Sequence, residues 1–316
     1  MINEVRNSVL SVLNKNNYGY ISPSDFNLFA QNAQMEIYEE YFSSYNKVIN
    51  AENSRGSGTD YADIEAPLSE TLETFLVTNY LSNVSANSYS VPSVTTTGNT
   101  AYYILKLLCR PTVLASGTNT AVSASNLVDS AASFSSNTIS QGDIVVNTST
   151  NTTAKVVSVT SATTILLDAN IFLATNRNYK IISSDSKEAD KVSVGKITML
   201  NSSPLTQPNN LYPSYTLEGD RIKIYPTTVN SYGQIEAVYF RHPIPPKWTY
   251  ITLANGEPVF DQSQSDYQDF ELPLEDAYKL VTKILEYCGM SIRETEVTQF
   301  GMTQQAHEQP TFSVQQ

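Results

Sequence analysis

The chain has little of what enzymes use. In 316 residues it has two histidines, two cysteines and one tryptophan. Two histidines cannot supply the His-Glu-x-x-His pair of a zinc protease, because His307-Glu308 has no second histidine one helical turn away. No Ser sits in a Gly-x-Ser-x-Gly elbow. The Gly56-Ser57-Gly58 turn has no strand before it and no Gly-Lys-Ser/Thr after it, which excludes a phosphate loop. Cys109 and Cys288 form no Cys-x-x-Cys pair. Both sit among apolar neighbours, so they read as reduced, buried thiols and not as a disulfide framework. Long apolar runs are also missing. Nothing approaches the roughly 18 residues of a membrane span, and no signal sequence precedes the first helix. The expectation is a soluble protein made in a reducing cytoplasm.

Positive charge is scarce as well. Nineteen Lys and Arg stand against 31 Asp and Glu, a net charge of −12. Such a chain lacks the cations that grip nucleic-acid phosphates or an anionic membrane. The acid gathers at the two ends, for example at Glu36, Glu39, Glu40, Asp60 and Asp63, and again at Asp261, Asp266, Asp269, Glu275 and Asp276. Solubility accounts for it, and so does the wall of a channel past which DNA slides without sticking. Candidate carboxylate pairs are Glu39 with Glu40 and Asp266 with Asp269, but no spacing marks them as a hydrolytic site. Asp60 with Asp63, and Asp261 with Asp266, lack the order of a calcium loop. His242, before Pro243, reads as structural. Trp248 reads as a loop-packed anchor, with a sugar-stacking or interface role as the alternative. The expected sets of catalytic, cofactor-binding and metal-binding residues are all empty.

Tyrosine is abundant, at 20 residues. Tyr suits strands and half-wet interfaces. Apolar residues at three-to-four spacing predict a helix from Ile2 to Leu13 and a long one from Ser22-Pro23 to about Asn50, with Ser22 as cap. A third opens at Pro273, with Leu274, Ala277, Tyr278, Val281, Ile284, Leu285 and Cys288 on its apolar face. Ala101–Cys109 reads as a buried strand, Tyr80–Val94 as irregular extended chain, and Val192–Leu200 as a strand. A hairpin turns at Gly219-Asp220, with Gln234–Arg241 as its partner. Between Thr112 and Ser184 the texture changes to Ser, Thr, Asn, Ala and Val in short alternating runs, the pattern of a small barrel or sandwich. The expected fold class is therefore α+β: a helical bundle of long N- and C-terminal helices with an antiparallel hairpin and sheet region, plus an inserted all-β module. The expected domains are residues 1–111 with 185–316 as one body, and 112–184 as the insertion.

The opening MINEVRNSVLSVLNKNNYGYISPSDFNLFAQNAQMEIYEEYF, the hairpin GDRIKIYP, the segment YFRHPIPPKW and the stretch LPLEDAYKLVTKILEYCGMSIRETEVTQF resemble virion structural proteins of crAss-like and related short-tailed bacteriophages. The stretch from Asn126 to Leu167 is similar to a β module inserted in many phage structural proteins. The resemblance implies a non-enzymatic head-to-tail connector, tail ring or collar protein. Such a protein would form a homo-oligomeric, dodecameric ring that joins the portal protein to tail, ring or fibre proteins and lines the DNA channel. It implies a place in the virion after assembly in the host cytoplasm, passive contact with viral DNA, and no membrane insertion. The alternative is a tail-associated binding module whose β insertion recognises a host glycan or anchors fibres.

Overall fold

The protein was analysed as a computed structural model, which describes residues 1–15, 21–55, 70–135, 138–254 and 256–292. The chain divides into two compact units, Met1–Phe75 with Pro243–Gln316, and Leu76–His242.

The first unit holds helices α1 (Ile2–Lys15) and α2 (Pro23–Arg55). Ser22 Oγ accepts from Asp25 N at 3.1 Å, so the predicted cap forms. The predicted stripes are buried at Ile2, Val5, Val9 and Leu13 on α1, and at Phe26, Ala30, Ala33, Ile37 and Tyr41 on α2.

The regular elements of the second unit are strands apart from two short helices. Its first sheet runs β1 (Leu76–Tyr80), β15 (Ile235–Arg241), β4 (Ala101–Cys109), β12 (Lys187–Lys191), β13 (Ser214–Glu218), β14 (Arg221–Tyr225), β3 (Ser88–Ser90), β2 (Asn83–Ser85). Its two edge strands, β1 and β2, are consecutive in the chain and joined by Leu81-Ser82 alone. The sheet therefore curls until its edges meet. At that junction Leu81 N donates to Ile235 O at 3.0 Å, continuing the β1–β15 ladder, and Ser82 O accepts from Ser90 N of β3 at 3.0 Å; one core fills the inside, with Tyr89, Leu107, Ile222, Ile224, Ala237 and Tyr239 at its centre.

The second sheet repeats the device. Its order is β5 (Val113–Thr118), β11 (Asn178–Ile182), β8 (Ile144–Asn147), β9 (Thr152–Ser161), β10 (Thr164–Leu167), β7 (Asn126–Val128), β6 (Ala121–Ser123). The edges β5 and β6 are joined by Asn119-Thr120. Asn119 is fully buried at that corner, donating to Ala174 O at 2.9 Å and accepting from Arg177 N at 2.7 Å. Strand β8 is buried along its whole length because both its faces are covered. Val145 enters this sheet's own core, while Ile144 and Val146 join Ile182 against Tyr80 and Tyr232 of the first sheet. The unbroken run Ile144-Val145-Val146 follows from that double burial.

Helix α3 (Val94–Thr97) is one turn between β3 and β4. Helix α4 (Val194–Asn201) lies in the crossover between the parallel strands β12 and β13. In the first unit, β16 (Tyr250–Thr252) and β17 (Pro258–Phe260) form a ribbon, and a 3₁₀ turn at Leu274–Asp276 leads into α5 (Ala277–Ile292).

Several expectations are corrected. The expected fold class, α+β built on a bundle of long N- and C-terminal helices, is overturned: the described residues carry 17 strands in three sheets, and helix accounts for 27%. Helical spacing at the two ends of the chain describes only those ends, and everything between Leu76 and His242 is organised by sheets. Residues 194–201 are helix, not strand, because Ser193 caps them and Lys196 N reaches its Oγ at 3.4 Å. Strand β15 pairs with β1 and β4 instead of the Gly219-Asp220 hairpin. The hairpin itself forms as β13–β14, with Gly219 at φ +63°. Tyr80–Val94 contains the β2–β3 hairpin. Strand β4 is not a buried strand throughout: register breaks against β15 at Tyr102 and Leu105 turn Tyr103 and Leu105 outward, while Ala101, Ile104, Leu107 and Cys109 stay on the core side. On α5 the expected face is buried at Ile284, Leu285 and Cys288 but not at its start. Leu274 and Tyr278 are exposed, and Asp276 and Lys283 are buried instead.

Candidate functional site

The residues that sequence reasoning weighed for chemistry are dispersed. His242 N donates to Thr100 O at 3.0 Å, and its ring meets Tyr102 edge to face at 5.1 Å. Cys109 and Cys288 are buried in different units, and burial pushes each thiol up to about 12, so neither is a ready nucleophile at neutral pH. Glu39 is exposed while Glu40 turns to Lys283, so that pair is split. Asp266 is held by Lys247, which keeps its carboxyl below the usual range. Asp261 accepts from the backbone and hydroxyl of Ser263 and from Gln264 within its own loop. Asp269 sits at the start of α1, accepting from Ile2 N at 2.8 Å and from the terminal ammonium at 3.1 Å. Burial works against its charge, but these bonds outweigh it and hold the carboxyl low. Asp60, Asp63 and His307 lie outside the described residues. Among the described residues, no three His, Cys, Asp or Glu side chains are placed to hold a metal ion, and no helix is long and apolar enough to cross a membrane.

Trp248 is an internal anchor. Its backbone N donates to Asn27 Oδ1 at 2.8 Å and its Nε1 to Asn3 Oδ1 at 3.1 Å. The Arg6 guanidinium lies 3.8 Å from its ring centroid, and Tyr250 and Phe260 stack nearby. It thereby ties α1, α2 and the β16–β17 ribbon together.

Two polar clusters were not visible in the sequence. Between α2 and α5, Lys283 Nζ reaches Glu36 Oε1 at 2.7 Å and Glu40 Oε1 at 2.8 Å. Asp276 takes a short hydrogen bond from Tyr41 OH and pairs with Lys279 at 2.9 Å. These pairs fix how the two helices meet. In the second sheet, Tyr179 OH donates to Asp129 Oδ2 at 2.7 Å, and Ala131 N donates to Oδ1 at 2.9 Å. Gly117 leaves the room for this pair, since a Cβ there would stand 2.7 Å from both oxygens. Beside it opens a cleft of about 540 Å³ edged by Thr118, Thr120 and Asn176.

The most unusual surface is the crossover that carries α4. It leaves apolar side chains in water: Leu205 is 94% exposed, Met199 73% and Tyr212 69%, with Val194 and Leu211 also exposed. Exposed apolar residues gathered in one crossover point to a contact site. Leu205 and Tyr212 edge a groove of about 510 Å³ together with Lys191, Lys196, Leu200 and Pro208. Lys191 and Lys196 are the only charged residues from 191 to 217, and Asp190 joins them in lining the groove. The local reason is topological. A parallel β12–β13 pair needs a crossover, and this one buries only Ile197 of its helix. Sequence reasoning saw a strand at Val192–Leu200; the clue it had was a 27-residue stretch, 191–217, without an acid in an acidic chain. No family model matches the chain, and no curated protein matches it in sequence.

Proposed function

We propose that this protein is a non-enzymatic virion structural component that assembles as a homo-oligomeric, dodecameric ring in the head-to-tail connector of a short-tailed phage. Portal and tail proteins are its neighbours, and DNA passes through it without adhering. The observation that carries the reading is the α4 crossover, which leaves Leu205, Met199 and Tyr212 in water. A subunit built to stay alone keeps such residues covered. The distribution of charge adds support. The first unit's residues hold eight Lys and Arg against 22 Asp and Glu, a net of −14, whereas the second unit's hold eleven against nine, a net of +2. A subunit polarised in this way favours head-to-tail contacts, which close into rings. The acidic unit suits a channel wall that repels DNA phosphates. Mass photometry of the purified protein, with negative-stain images of the particles, tests the reading. Rings are the expected species, and a strictly monomeric chain in both settings overturns it.

A second reading rests on the cleft beside Asp129 and Tyr179, whose hydroxyl and amide edges suit a glycan. Particles lacking residues 112–184 that assemble normally but fail to adsorb to cells would favour it.

A further inference from the structure

The second sheet is left open along one edge. We infer that this seam, beside β5, accepts an extended strand, residues 311–315 of a second copy of this chain, paired backbone to backbone. The second copy rests on the assembly reading; the seam does not.

Strand β5 pairs with β11 alone, and among the described residues no strand lies along its other edge. The register says which groups point there. Asn119 N donates to Arg177 O at 3.0 Å, so the bonded positions run Asn119, Gly117, Ala115. The N–H and C=O groups of Ser116 and Thr118, between them, face away from β11. Among the described residues no backbone bond meets them on that side. Such an edge is a template for another strand, and sheets commonly blunt it with lysine or proline. The β5 sequence VLASGT has neither.

The cleft of about 540 Å³ runs along this edge. Five consecutive residues of β5, 114–118, form one wall, and Ala131, Ala132, Phe134 and Ile139 stand on the other. Five strand residues span about 17 Å. Beneath Gly117 the Tyr179 hydroxyl reaches Asp129 Oδ2 at 2.7 Å, so a side-chain bond spans the seam where a backbone ladder is missing. A row of outward N–H and C=O groups at strand spacing is matched by another backbone, which favours a strand over a glycan.

The cleft also selects against charge. Asp129 is its only ionisable lining residue apart from Tyr179, and both carboxylate oxygens are taken, by Tyr179 OH and Ala131 N. A charged side chain entering there would lose water and gain no partner. Residues 293–316 lie outside the described ones, and within them 309–316 read QPTFSVQQ, without charge. After Pro310 the pattern alternates: Phe312 and Val314 are apolar, and Thr311, Ser313 and Gln315 are polar, as in a strand with one face covered. Phe312 and Val314 suit the wall of Ala132, Phe134 and Ile139. Each copy would give its segment to one neighbour and take a segment from another, which is a heterologous contact. The tie adds to contacts made elsewhere, so rings form without it.

Hydrogen exchange resolved to single amides reads the seam. The full chain carries Phe312→Asp and Val314→Asp, which leaves the seam vacant and alters none of the described residues. The probe is a synthetic peptide of residues 309–316. It should slow exchange at Ser116 and Thr118 at least about tenfold and leave Ala115 and Gly117, already bonded to β11, unchanged. That alternation is the mark of a backbone ladder. Ser116→Pro removes an outward N–H and spares the bonds to β11, a change an edge strand tolerates. It should abolish the effect in a chain whose thermal midpoint shows it folded. A peptide with Ser313→Pro and Val314→Pro loses a donor on either edge and should also fail, with no change to the protein. In the wild-type chain the two amides should be slow where copies associate and fast on dilution. A peptide without effect on them overturns the inference, whatever rings the chain forms. Polysaccharide from the host surface slowing them in place of the peptide assigns the cleft to a glycan and overturns it too. Slow amides in dilute wild-type monomers overturn the second copy as donor. A chain that binds the peptide yet stays monomeric, in solution and in particle images, overturns the second copy together with the assembly reading.

Discussion

Gly233 shows how one position ties the two sheets of the second unit together. Its φ is +82°, and a Cβ there would lie 2.6 Å from Val146 Cγ2 on β8. Next to it, Tyr232 packs on Ile144, Val146 and Ile182, and Ser231 takes a short hydrogen bond from Lys180. Gly233→Ala should destabilise the unit by about 1–3 kcal/mol, through strain at positive φ and overpacking; chemical denaturation measures it. Asp269 governs a different property. Its carboxyl is held below its unfolded value by the ammonium of Met1 and the amides of Ile2 and Phe270, despite partial burial. Its contribution is present above the unfolded value and is lost as pH falls through the folded one. Stability should therefore fall on acidification below the ordinary carboxylate range. Asp269→Asn should be less stable at neutral pH and show a shallower fall. Thermal midpoints recorded across that range check the difference, and parallel curves would remove Asp269 from the explanation.

At the scale of elements, the α2–α5 contact depends on buried charge more than on apolar fit alone. Lys283 is nearly inaccessible, whereas Glu36 and Glu40 keep part of their surface in water. Burial disfavours its ammonium, but the two carboxylates outweigh that and raise its pKa, so the pairing persists until strongly alkaline pH. Lys283→Met should cost about 1–2 kcal/mol, between the values for exposed and fully buried pairs. Urea denaturation measures it. A neutral result would mean the helices are held by Phe26, Ile37, Leu280 and Ile284 alone. This contact also marks where sequence reading reached its limit. The spacing of α2 was legible because its buried stripe is apolar but for Gln34. That of α5 was only partly legible, because a lysine and an aspartate, which periodicity counts as surface, are buried by partners more than 230 residues away in sequence. Strand β4 was misread for another reason, since two register breaks cancel the period of two. Gly219-Asp220 and Ser22-Pro23 were legible because their chemistry is local. The exposed crossover was not, because exposure of Leu205 or Met199 depends on which neighbours the sheet supplies.

At the scale of the whole molecule, the polarity between the two units should control association. A net charge of −14 on one unit and +2 on the other makes like-unit contacts repulsive and head-to-tail contacts the favoured ones. Screening acts over about 10 Å at 0.1 M salt and about 3 Å at 1 M. Encounter between copies should therefore slow as salt rises, while the apolar part of the contact persists. Light scattering during assembly, repeated over that range, should show the rate falling more than the final yield. A rate indifferent to salt would mean that charge does not steer the contact. The second sheet should matter less to this process. Cys109 and Lys187 are register partners on adjacent strands, so the chain leaves and re-enters the first sheet at a single point. Replacing residues 112–184 with a short Gly-Ser turn should preserve that sheet and the α4 crossover, at the cost of exposing Tyr80 and Tyr232. The shortened chain should melt at a lower temperature and still assemble. Loss of assembly in a shortened chain that remains folded would place an essential contact on the second sheet instead.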